Sequence, residues 1–166
     1  MLEYLTSLNN HNLPYSDTIH PIVVHFVIAM VLFAFLCDVI GYFTSNHRLF
    51  EVSWWNMLFA TISIFIAIMF GQFEAGLAEP YDAAQPVLNL HTLLGWSLSA
   101  IMASLTAWRY VIRSRTPQKI SIYYLAAGLL LTVLVGIQVY FGDKLVWVYG
   151  LHTVPVIEAM KEGLLQ

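Results

Sequence analysis

Four long apolar runs constrain this chain more than any other feature, at roughly residues 21–43, 52–75, 86–112 and 120–141. Each exceeds twenty residues, and about twenty apolar residues cross the hydrocarbon core of a bilayer as a helix. No water is available there, so backbone N–H and C=O groups must pair within the segment. Continuous runs of this length are therefore helices. The composition agrees, with 59% hydrophobic and 10% charged residues, where a soluble domain carries about 25% charged residues. The expected fold is all-α: an integral membrane four-helix bundle, up-down-up-down, within residues 20–152. A polar segment, 1–19, precedes it. A tail, 153–166, follows, with Val156, Ile157, Met160 and Leu164 spaced as on an amphipathic surface helix.

The punctuation between the runs suits short connections. Thr44–Glu51, Gly76–Gln85 and Arg113–Lys119 read as loops, and Gly142 with Asp143 reads as a break at the end of the fourth helix. Trp54, Trp55, Trp108 and Tyr110 stand where interfacial aromatics belong. Ala60, Ala67, Gly71 and Ala75 in the second run, and Gly128 and Gly136 in the fourth, are small enough to let helices approach closely.

Basic residues set the orientation. Arg48, Arg113, Arg115 and Lys119 follow the first and third runs, with Arg109 just inside, while Lys144 and Lys161 are the only ones opposite. Positive charge stays cytoplasmic, so both termini are expected on the non-cytoplasmic side. Residues 1–15 lack the basic and apolar regions of a signal peptide. The net charge is −3 and no basic stripe exists, which excludes nucleic acid as a partner. The single cysteine, Cys37, allows neither an internal disulfide nor a cysteine metal motif. No nucleotide loop, nucleophile elbow or His-Glu-x-x-His is present.

The functional signal is histidine. In this topology His20, His25, His91 and His152 fall in one layer of the membrane, at its outer side, with Gln72, Glu74 and Gln138 approaching it. Imidazoles inside a membrane are costly without a partner, so such residues point to a site. His91 heads a small-residue stripe, Gly95, Ser99, Ala103 and Ala107, and Ala29 follows His25 in the same register. Small residues one turn from an imidazole clear room for a flat ligand. Helices one and three lie diagonally in such a bundle, so His25 and His91 are expected to face each other as axial ligands of a b-type haem. His20 reads equally as a helix cap before Pro21, and His152 in its Gly-Leu-His turn reads first as structural. A rival set for a non-haem metal is His20, His25, His91, His152 and Glu74, although the His20–His25 spacing of five suits no single helix face. The same groups could relay protons. Asp38 and Arg109, both near the cytoplasmic side, are expected to form a structural ion pair.

His20-Pro21-Ile22-Val23-Val24-His25-Phe26, with the run ending in Asp38-Val39-Ile40-Gly41, resembles the opening of a bacterial family of small four-helix membrane proteins. Leu90-His91-Thr92-Leu93-Leu94-Gly95, and the stretch from Gly142 through Trp147 to Gly150, are similar to that family's later motifs. The resemblance covers roughly residues 18–154. It implies a fold like that of membrane b-type cytochromes, with His20, His25 and His91 as the motif histidines. Some members are joined to Rieske iron–sulfur domains, which suits a redox role. The family's activity is not established. The expected function is an electron-transfer subunit carrying haem b in a respiratory or photosynthetic membrane complex of a bacterial inner or thylakoid-type membrane. The alternatives are a cofactor-free accessory or assembly subunit, and a protein handling non-haem metal or protons.

Overall fold

A computed structural model describes residues 19–78, 81–151 and 153–164. The described residues form five helices and no strands: α1 Ile19–Thr44, α2 His47–Ala78, α3 Gln85–Arg115, α4 Ile122–Trp147 and the short α5 Val154–Lys161. Helices α1 to α4 are each long and apolar enough to cross a membrane. Each packs against the one before it, and α1 also packs on α4, so the four close a ring with α1 and α3 on its diagonal. Paired residues show how neighbours meet. His20 at the start of α1 touches Gly71 late in α2, Glu51 early in α2 bonds Arg113 late in α3, and His91 early in α3 meets Gln138 late in α4.

The helices run longer than the apolar runs alone. The expected loop at Thr44–Glu51 shrinks to Ser45 and Asn46. Ser45 takes φ 55° and the Asn46 N–H bonds back to Gly41 O at 3.1 Å. The Asn46 side chain then accepts from the Arg48 N–H at 3.2 Å, capping α2 as it begins. This turn is tight because Gly41 lies under the Phe50 ring; a Cβ there would sit 2.7 Å from Phe50 Cε1. The expected break at Gly142 and Asp143 is also absent. Helix α4 continues to Trp147 and ends against Gly150, at φ 64°. Gly142 serves packing instead, since its missing Cβ makes room for the His91 ring. Ser121 caps the start of α4, accepting from Tyr124 N–H at 3.2 Å.

Polarity is arranged as a bilayer demands. Phe33, Phe43, Phe73, Leu93, Tyr140 and Trp147 are among the many large apolar side chains facing outward. The buried interior holds Val31, Ala60, Met102 and Leu131, but also Asp38, Ser53, Ser99, Thr106 and Arg109. Asp38, Arg109 and Thr106 among these buried polar groups find partners on other helices. Midway along, the Thr61 and Thr106 hydroxyls bond at 2.7 Å between α2 and α3. Of the expected packing glycines, Gly128 receives the Phe35 ring, whose Cδ2 lies 3.2 Å from where a Cβ would be, whereas Gly136 has nothing within 4 Å. Gly136 is therefore not a helix contact: its face of α4 is turned from the neighbouring helices.

Candidate functional site

Two polar clusters occupy opposite ends of the ring. At the first, Arg109 from α3 is only 2% exposed. Its Nη2 donates to Phe50 O at 2.9 Å and lies 3.4 Å from Asp38 Oδ1. The guanidinium is held between two rings, its carbon 5.5 Å from the centroids of both Phe50 and Tyr124. An arginine can be buried here because a carboxylate balances its charge, a carbonyl takes a proton donor, and aromatic faces meet its plane. A cavity of about 20 Å³ lies beside Asp38 and Tyr124, otherwise walled by apolar side chains such as Val31 and Met57. It has room for a single water. Nearer the surface Arg113 grips Glu51 through Nε and Nη2 at 2.8 to 3.2 Å and lies over Trp54.

The second cluster is the histidine end. His20 Nδ1 donates to Ala67 O of α2 at 2.7 Å. The carbonyl can only accept, which fixes the proton on that nitrogen. The ring lies flat against Gly71; an added Cβ would come within 2.8 Å of Cε1 and 3.0 Å of Nδ1. His20 thus ties α1 to α2. His91 is seated in the same manner on α4, its Cε1 3.2 Å from the position a Gly142 Cβ would take. Gln138 Nε2 donates to His91 O at 2.9 Å and approaches His91 Nε2 at 3.3 Å. With Nε2 accepting, the ring proton belongs to Nδ1. That nitrogen is buried without a partner among the described residues, as is Gln138 Oε1. Gly95 opens space for Gln138, whose Nε2 lies 3.3 Å from where its Cβ would be.

The expected facing pair is not formed. His25 is exposed, and its Nδ1 donates to Pro21 O of its own helix at 2.6 Å. Ala29, one turn on, is exposed as well. The reason is helical geometry: His20 and His25 are five apart, about 500° of rotation, so one ring turns outward when the other turns in. His20, not His25, shares the interior with His91. Of the stripe beneath His91, Ser99 is buried while Ala107 is exposed, because a spacing of four drifts around a helix of 3.6 residues per turn. His152 and the side chain of Glu74 lie outside the described residues. Among the described residues, no three His, Cys, Asp or Glu side chains gather to hold a metal.

The roles of Gly71 and Gly142 as seats for imidazoles are not visible in the sequence. Their only signal there is glycine inside an apolar helix, which equally suits helix packing or a break. Gln138 is visible as a polar residue at the right depth, without its partner.

Residues 16–155 match the model of the DUF2231 family, described as predicted membrane proteins. No curated protein and no solved structure matches the chain.

Proposed function

We propose that this chain, which belongs to the DUF2231 family of predicted membrane proteins, is a redox subunit that binds a b-type haem at its histidine end. The observation that carries the reading is the inward seating of two imidazoles, His20 from α1 and His91 from α3, against glycines of neighbouring helices. His91 Nδ1 and Gln138 Oε1 keep unspent hydrogen-bonding capacity in the interior, as at a site that receives a further group. His20 and His91 would be the haem ligands, and His25, exposed and bonded to its own helix, would not. The Ala67 carbonyl fixes the His20 tautomer and ring angle, as outer partners of ligating imidazoles do. Bound haem would supply one-electron transfer. The basic end, with Arg48, Arg113, Arg115 and Lys119, faces the cytoplasm in this reading, and the histidine end lies on the opposite side of a bacterial inner or thylakoid-type membrane. A partner within a larger complex then gives or takes the electron.

One observation favours a second reading, a cofactor-free accessory subunit. His20 Nδ1 and His91 Nε2 already have protein partners, so the two imidazoles also work as a clamp, one joining α1 to α2 and the other α3 to α4. The reduced-minus-oxidised absorption spectrum of protein purified from haem-replete cells separates the two. A Soret and α-band pair supports the haem site; a flat difference spectrum leaves the clamp.

A further inference from the structure

The basic end carries an inference that does not depend on the cofactor. Among the described residues it holds five cations, Arg48, Arg109, Arg113, Arg115 and Lys119, and two acids, Asp38 and Glu51. Both acids are taken from within: Asp38 by buried Arg109 at 3.4 Å, and Glu51 by Arg113 at 2.8 Å. That leaves Arg48, Arg115 and Lys119, all exposed, with no side-chain ion pair among the described residues. Three like charges at one end of a membrane bundle attract counter-charge, and no acidic side chain among the described residues pairs with them.

Exposed aromatic residues mark the depth of these cations. Arg115 is five residues past Tyr110 on α3, about 7.5 Å along the axis. Tyr110 and Trp108 are exposed on that helix, Trp55 on α2 and Tyr123 at the start of α4. Such aromatics settle at the membrane–water interface, so the cations project to the depth of lipid phosphates. The scaffold beneath them is ordered. Arg113 is clamped by Glu51 and lies over Trp54, whose ring packs 6.0 Å from Tyr110. Two hydrogen bonds shape the turn after α3, Thr116 N–H to Ile112 O at 2.7 Å and Lys119 N–H to Thr116 O at 3.0 Å. Asn46 sets the start of α2 and with it Arg48.

We infer that Arg48, Arg115 and Lys119 form a binding surface for the headgroups of anionic phospholipids in the leaflet at the basic end. The arginines offer forked donors to a phosphate, and lysine adds a point charge. Each cation near an anionic membrane surface is worth about 1 kcal/mol, or about fivefold, so the three together give about a hundredfold preference for anionic over zwitterionic lipid.

The test uses the whole protein in nanodiscs of phosphatidylcholine alone or with phosphatidylglycerol, read by lipid retention in native mass spectrometry and by the thermal midpoint. Phosphatidylglycerol is expected to be retained and to raise the midpoint. In the combined variant Arg48→Gln, Arg115→Gln, Lys119→Gln, retention should drop by about two orders of magnitude and the midpoint gain should vanish, while the midpoint in phosphatidylcholine stays put. Lys144→Gln, at the other end, should behave as the parent does. Equal retention by the parent and the triple variant overturns the proposal. So does a midpoint gain reproduced by millimolar inorganic phosphate in phosphatidylcholine discs, which would make the site one for free phosphate.

Discussion

Replacing Gly71 with alanine puts a methyl carbon 2.8 Å from Cε1, 3.0 Å from Nδ1 and 3.3 Å from Nε2 of His20. Carbon contacts are unfavourable at such distances, so the ring must move. It cannot move and keep its 2.7 Å bond to Ala67 O. Overpacking of this kind costs about 1–3 kcal/mol, and the lost hydrogen bond about 1 kcal/mol more. Alanine returns about 1 kcal/mol through its better helix propensity. The balance is a destabilisation of about 1–3 kcal/mol. Gly136→Ala is the control, because nothing lies within 4 Å of its Cβ position. There only the propensity gain operates, and the variant should be more stable by up to about 1 kcal/mol. Equilibrium unfolding in mixed micelles with rising SDS fraction measures both. If the two glycines respond alike, His20 does not rest on Gly71, and the account of the histidine end fails with it.

Other perturbations bear on the remaining contacts. Arg109→Ala strands the buried Asp38 carboxylate and should cost about 3–5 kcal/mol in the same unfolding assay. Restoring neutrality with Asp38→Ala in the same chain should recover part of that loss. Glu51→Gln breaks a pair whose side chains are 36% and 44% exposed, so its cost should stay below about 1 kcal/mol. Thr106→Val removes the hydroxyl bond to Thr61 and should cost about 0.6 kcal/mol, the usual value between membrane helices. Ser121→Ala removes the α4 cap and should cost about 1 kcal/mol.

The sequence shows the helices and hides their contacts, for a physical reason. Apolar length alone decides that a segment crosses a bilayer, so α1 to α4 are legible from hydropathy. Hydropathy does not locate helix ends, because Asn46 can cap a helix at once and polar residues past the hydrocarbon remain helical. That is why α2 begins at His47 and not near Val52. Charge is nearly as legible. Asp38 and Arg109 are opposite charges at one depth, and burial leaves them little choice but each other; they lie 3.4 Å apart. The histidines are harder. Depth follows from counting residues, which brings His20, His25 and His91 to one end. Facing depends on the rotation of each helix, and an all-round apolar helix carries almost no signal of which side is in. The rotation of α1 turns His20 inward and His25 outward. Glycine is ambiguous in the same way: Gly142 could end a helix or seat a ring, and only its neighbour His91 decides.

The central claim is that the inward imidazoles form a cofactor site and the outward one does not. It is tested most directly by the reduced-minus-oxidised spectrum of four proteins from haem-replete cells: the parent, His20→Ala, His25→Ala and His91→Ala. The account predicts a b-type signal in the parent, its retention in His25→Ala, and its loss in both His20→Ala and His91→Ala. A parent without a Soret band, or a signal lost in His25→Ala and kept in His20→Ala, would contradict it.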